Sequence, residues 1–217
     1  MPKYEAVLFD FDGTLAPNLD LRGMRQDLLS FTLQKTAIPK EKIERLYMLE
    51  LIDYTAEWLE SQGKTSANYV KAAHKQIKDT EVNTARKTQV FPETLGLLSS
   101  LRRAGMRVGI VTRNCDEAVR TVFPDLDEHI DAFISRDTAI CLKPDPGHLQ
   151  QCLDNMNCKA NKSVMVGDSI MDVQAGAALS MFTVGVLTGS SDKHDFQQAS
   201  TDIVLESIAQ LKPLLTS

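Results

Sequence analysis

Carboxylates are the first residues in this chain that could do chemistry, because several stand directly behind short apolar runs. Ala6-Val7-Leu8-Phe9 stops at Asp10-Phe11-Asp12-Gly13-Thr14, and Ser163-Val164-Met165-Val166 stops at Gly167-Asp168-Ser169, with Asp172 a turn further. At contact distance Asp10, Asp12 and Asp168 would repel one another, and burial would raise their pKa values unless a cation neutralised them. A hard divalent ion with oxygen ligands answers that need. Magnesium suits a site with few carboxylates, several waters and a phosphate oxygen to share. With the charge balanced, one carboxylate can attack phosphorus while another handles the leaving-group proton. Lys143, followed by Pro144, offers a fixed positive charge for the transferring group, and Thr112, heading Thr112-Arg113-Asn114, offers a hydroxyl and a backbone N–H at a helix start, where anions are favoured. Alone, each residue has a plainer use: aspartate caps helices and turns, threonine caps helices, and lysine is ordinarily solvated. It is the four groups at four strand ends, in order, that argue for chemistry.

A sheet would bring them together. Arg107 to Thr112, Ala132 to Ile134, Ser163 to Val166 and Thr183 to Val186 read as buried strands alternating with helices, one of which runs from Glu93 to Ala104 and stops at Gly105. That pattern predicts an α/β fold, a doubly wound parallel sheet with Ala6 to Phe9 as its first strand. Ligands of such sheets lie beyond the carboxyl ends of the strands, where the polar groups stand. Between the first strand and the rest the texture changes. Leu21, Met24, Leu28 and Phe31, then Ile43, Leu46, Tyr47 and Ile52, then Tyr69, Val70, Ala73 and Ile77 recur at helical spacing. Three or four helices and no strand are expected, with Pro39 at a helix start, Gly63 ending a helix, and Thr65 or Ser66 capping the next. The organisation expected is therefore a core of residues 1–16 and 89–217 interrupted by an all-α insertion, residues 17–88. Within the insertion the tyrosines and Trp58 read as core, and Gly63-Lys64 as a loop that could dip toward the site.

Composition narrows the function classes. With 217 residues, 43% of them hydrophobic, the chain can bury a sizeable core, and a net charge of −5 with scattered Lys and Arg argues against a nucleic-acid or anionic-membrane partner. A small phosphorylated substrate is not excluded, since one focused pocket can override the mean charge. Cys115, Cys141, Cys152 and Cys158 form no C-x-x-C pair and read as reduced packing residues. Charged Lys3 and Glu5 precede only a four-residue apolar run, so no secretory leader and a cytoplasmic protein are expected. Nothing here fixes an oligomeric state.

Taken together, these motifs resemble the haloacid dehalogenase superfamily, in the branch with a helical cap inserted after the first motif. Asp10-Phe11-Asp12-Gly13-Thr14 matches the first motif, Thr112 the second, Lys143 the third and Gly167-Asp168-Ser169-Ile170-Met171-Asp172 the fourth. The similarity spans the chain and looks strongest to phosphoglycolate-phosphatase-like members, through Thr112-Arg113-Asn114 and Lys143-Pro144. It implies Asp10 as nucleophile and Asp12 as general acid and base. It also implies magnesium held by Asp10, by Asp12 through its backbone carbonyl, and by Asp168, with Asp172 and Ser169 supporting. Phosphate contacts are implied for Thr112, Arg113, Asn114, Lys143 and Gly13, with Arg113 equally readable as a surface charge. One departure is Leu15-Ala16-Pro17-Asn18, where many relatives place an acidic or serine residue. The alternatives are a sugar phosphomutase, which would return the phosphoryl group to its substrate, and a phosphonate-cleaving relative using Lys35, Lys40, Lys42 or Lys64 as a Schiff base. A third is a non-catalytic phosphate- or metal-binding protein.

Overall fold

Ala6–Phe9 (β1) lies at the centre of a six-stranded sheet and is buried along its whole length. The other strands are Arg107–Val111 (β2), Ala132–Ile134 (β3), Ser163–Gly167 (β4), Phe182–Val186 (β5) and Ile203–Leu205 (β6), and the order across the sheet is β3-β2-β1-β4-β5-β6. Every pair is parallel. Parallel strands buried on both faces need apolar side chains on both, which is why β1, β2 and β4 read as continuous apolar runs. The structure is a computed structural model describing residues 4–215. Two compact units form the chain: Met1–Leu19 with Ala85–Ser217, which holds the sheet, and Asp20–Thr84, which is helical.

In the helical unit, Leu21–Lys35 (α1), Met48–Ser61 (α2) and Ala67–Ala85 (α3) are the long elements. Pro39 opens only a short 3-10 turn, Lys40–Lys42. Gly63 takes φ 71° just past α2, a conformation glycine adopts without strain. Ser66 donates to the Glu60 carboxylate at 2.7 Å, tying the α2–α3 connection back onto α2. This unit has its own core, including Leu28, Ile43, Leu51, Ile52, Ala73 and Ile77, with the Tyr69 hydroxyl 2.9 Å from Thr32 Oγ1. Tyr69 is the tyrosine here that packs as core; Tyr47 and Tyr54 are exposed and Trp58 is half-buried.

Around the sheet stand Thr94–Arg103 (α4), Asp116–Val122 (α5), Leu126–His129 (α6), Gly147–Met156 (α7), Ile170–Ala178 (α8), Lys193–Gln198 (α9) and Leu211–Leu215 (α10). Leu149, Cys152, Leu153 and Met156 of α7 pack with Ala6, Leu8, Val111 and Met165 of the strands, so one face of the sheet is sealed by α7. The Leu15 carbonyl accepts both the Phe91 N–H at 2.8 Å and the Thr94 hydroxyl at 2.8 Å, which pins together the segments flanking the helical insertion. Among the described residues no helix is long and apolar enough to cross a membrane.

Candidate active site

β1 and β4 are neighbours in register, Phe9 opposite Val166, so their carboxyl ends release Asp10 and Asp168 side by side. The Asp10 N–H still donates to the Val166 carbonyl at 2.9 Å, which fixes the backbone of Asp10 to the end of the sheet. Sheet topology adds the reason for a crevice here. From β1 the chain builds β2 and β3 on one side and β4 to β6 on the other, the reversal that opens a cleft at the strand ends.

Asp10, Asp168 and Asp172 each bring an oxygen into a group whose members all lie within 4.8 Å of one another. Lys143 bridges two of them: its ammonium is 2.7 Å from Asp10 Oδ1 and 2.6 Å from Asp172 Oδ1, and it also donates to the Val111 carbonyl at 2.7 Å. The lysine side chain is 2% exposed and Asp172 1%. One ammonium cannot neutralise three carboxylates in a dry site, and their protonation behaviour records that. Burial, opposed by Lys143 and reinforced by Asp168, raises Asp10 from its usual value to about 6. Asp168 and Asp172 are raised too, again chiefly by burial. Burial alone would lower Lys143, but Asp10 and Asp172 outweigh it and hold the ammonium above its ordinary value. A cation among the carboxylates would relieve the excess of negative charge, so the residues present fit a hard divalent ion.

Local structure holds each carboxylate in place. Ser169 caps α8, and its N–H and hydroxyl donate to Asp172 Oδ2 at 3.0 and 2.9 Å. That reciprocal cap turns Asp172 Oδ1 toward Lys143. Asp168 Oδ2 accepts the Ser190 N–H at 2.6 Å and its hydroxyl at 2.8 Å. Ser190 escaped the sequence reading, although it follows β5 by four residues and stands at the same edge as the residues that were found. Gly13 is required beside it: its φ is 79°, and a Cβ there would lie 2.6 Å from the Asp168 carboxylate.

The remaining expected residues divide. Asp12 is not among the three clustered carboxylates, and its Oδ2 accepts from Asn114 Nδ2 at 2.9 Å. Asn114 is thus engaged with Asp12 as well as standing in the segment expected to meet phosphate. Thr112 is buried, but its backbone N–H donates to the Ile134 carbonyl at 3.0 Å, continuing the sheet. Thr112 is therefore not at a helix start, since α5 begins only at Asp116, and its Oγ1 accepts the Asn114 N–H at 3.0 Å. The Arg113 guanidinium lies against the Met171 sulfur, and the Arg113 carbonyl accepts from Arg136 at 2.8 Å. His148, also not foreseen, is buried in the first turn of α7, and its Nδ1 accepts the Lys143 backbone N–H at 3.2 Å.

Comparison with known proteins follows the same lines. The family model described as haloacid dehalogenase-like hydrolase matches residues 7–186. A phosphoglycolate phosphatase of Nitrosococcus oceani is 27% identical over 226 residues, covering 98% of this chain and 96% of its own. The pyrophosphatase PpaX of Bacillus cereus is 26% identical over 231 residues, covering 99% and 97%. In structure, a hydrolase from Pseudomonas syringae superposes with a TM-score of 0.74 at 18% identity, covering 97% of this chain and 99% of that one, a likeness of fold.

Proposed function

Since the chain belongs to the haloacid dehalogenase-like hydrolases, we propose that it is a magnesium-dependent phosphatase that hydrolyses a small phosphorylated metabolite through an aspartyl-phosphate on Asp10. The observation that carries this reading is the group of Asp10, Asp168 and Asp172 at the sheet edge, with Lys143 bridging Asp10 and Asp172. A carboxylate in that position with a pKa of about 6 is ionised at neutral pH and can act as a nucleophile. Lys143, bonded to Asp10 Oδ1, fixes the orientation of that carboxylate and puts positive charge beside the phosphoryl oxygens.

Asp10, Asp168 and the Asp12 backbone carbonyl would hold magnesium, with Asp172 supporting. When bound, the ion supplies charge neutralisation for the carboxylates and for the transferring phosphoryl oxygens. The protein does the rest. Asp10 attacks phosphorus as the ester oxygen departs, and Asp12 gives that oxygen a proton. In the second half Asp12 takes a proton from water as the water oxygen attacks phosphorus and Asp10 leaves. Thr112, Lys143 and Gly13 line the phosphoryl position. Phosphoglycolate and pyrophosphate, named for the two sequence relatives, head the candidates.

The test is a panel of phosphorylated metabolites assayed for inorganic phosphate with and without magnesium, run on wild type, Asp10→Asn and Asp12→Asn. Asp10→Asn is expected to abolish turnover and form no adduct, because a neutral amide is a poor nucleophile. Asp12→Asn is expected to lose about 10²–10⁴-fold on alkyl esters. On an aryl phosphate, whose leaving group needs little protonation, it should accumulate a hydroxylamine-sensitive phosphoryl adduct on Asp10. An adduct mapped to Asp12, or transfer of the phosphoryl group to a second substrate molecule in place of phosphate release, would overturn the reading.

A further inference from the structure

Asn114 is 5% exposed and uses both ends of its amide. Its Oδ1 accepts the Cys115 backbone N–H at 2.8 Å and its Nδ2 donates to Asp12 Oδ2 at 2.9 Å, while its own N–H donates to Thr112 Oγ1 at 3.0 Å. The two ends are not interchangeable. A backbone N–H can only donate, so the amide oxygen has to face Cys115, and the donor end then has to face Asp12. Cys115 is buried at the N-terminal boundary of α5, directly after the β2 exit, so the anchor of the amide is part of the scaffold.

We propose that Asn114 is a positioning residue for Asp12, its anchored amide holding the Asp12 carboxylate in one orientation at the strand end. The inference rests on the phosphatase reading above and adds to it how the acid–base group is aimed. An oxygen facing an N–H donor is kept as an acceptor, since a hydrogen placed on it along that line would meet the hydrogen of Nδ2. In the first half-reaction the Asp12 carboxyl proton passes to the departing ester oxygen as the Asp10–phosphorus bond forms and the phosphorus–ester bond breaks. In the second, the Asp12 carboxylate receives a proton of the attacking water as the water–phosphorus bond forms and the Asp10–phosphorus bond breaks. Asn114 takes no proton and touches no reacting atom. Its part is to stop the Asp12 carboxylate from rotating, so that one oxygen is always presented to the leaving group.

The decisive comparison uses two variants with opposite side effects. Asn114→Ala removes the donor to Asp12 and the acceptor for Cys115 together. Asn114→Asp keeps the shape and the acceptor for Cys115 but sets an oxygen against Asp12 Oδ2, so it remains informative if the alanine variant does not fold. Both are assayed on an alkyl phosphate and an aryl phosphate, with thermal melts as a folding check and Asp12→Asn in parallel. The expected result is a loss of about 10–100-fold in kcat on the alkyl ester, a clearly smaller loss on the aryl ester, and little change in KM. Equal losses on the two esters would overturn the proposal, because a general loss of structure does not sense the leaving group. A raised KM with unchanged kcat would also overturn it and make Asn114 a phosphate contact instead. If Asp12→Asn itself shows no dependence on the leaving group, the acid–base assignment of Asp12 falls first, and this inference falls with it.

Discussion

Lys143 stands between Asp10 and Asp172, within 2.7 and 2.6 Å of their oxygens, and that position predicts what its loss would do. Lys143→Met removes the counter-charge from buried carboxylates without changing the length of the side chain much. Breaking a buried ion pair on one side costs about 3–5 kcal/mol, so the urea midpoint should fall sharply, and magnesium should recover part of the loss by supplying positive charge nearby. A variant as stable as wild type in the absence of magnesium would show that the pair carries no such weight. Asp10, Asp168 and Lys143 were legible in the sequence because each follows an apolar strand or sits on a loop of the same edge. Ser190 and His148 were not. A serine in a polar loop and a histidine after a proline look ordinary in sequence, and only the path of the backbone sets one against Asp168 and the other against the Lys143 N–H. Asn114 lay between these cases. Its place at the β2 exit was readable, but its bond to Asp12, 102 residues away, was not.

Strands were easier to read than turns because a parallel sheet buried on both faces writes itself as unbroken apolar runs. β6 escaped notice for the complementary reason: Ile203–Leu205 is only three residues long, half-buried, at the edge of the sheet, and flanked by Asp202 and Glu206. In the helical unit, spacing alone could not say which aromatic residues of α2 face inward, and Tyr54 points out. The first turn of α7 carries a prediction of its own. Burial first, and then the charge of Lys143, push His148 from its usual value down to about 3. Between that value and the ordinary histidine value of about 6.5, the unfolded chain binds a proton that the folded chain refuses. Stability from this group is therefore full above about pH 6.5 and is lost as pH falls, by up to about 1.4 kcal/mol per pH unit. His148→Asn retains an acceptor near the Nδ1 position but has no proton to gain, so the fall in its urea midpoint from pH 7 to pH 5 should be smaller than that of wild type. Equal falls in the two proteins would sink the assignment.

At the scale of the whole molecule the carboxylate group works in the opposite direction, and a metal should reverse it. Asp10 is raised to about 6 in the folded state, above the roughly 3.9 of an unperturbed aspartate. Between those values the folded chain holds a proton that the unfolded chain has released, so its contribution is present below about pH 4 and is lost as pH rises through about 6. Asp168 and Asp172, raised in the same direction by burial, add to the loss. Without a cation, the sheet unit is thus strained by its own site near neutrality. Magnesium binds the deprotonated carboxylates, so its affinity should grow over the range where they ionise. At 100 times its Kd a ligand specific for the folded state stabilises by about 2.7 kcal/mol. The magnesium-induced rise in melting temperature should accordingly be large at pH 7.5, small at pH 5, and nearly absent at both in Asp168→Asn. Far-UV circular dichroism is the suitable probe, because the only tryptophan, Trp58, lies in the helical unit while the carboxylates belong to the other. A shift of the same size at both pH values, or one that survives Asp168→Asn, would mean that magnesium acts somewhere other than this group of carboxylates.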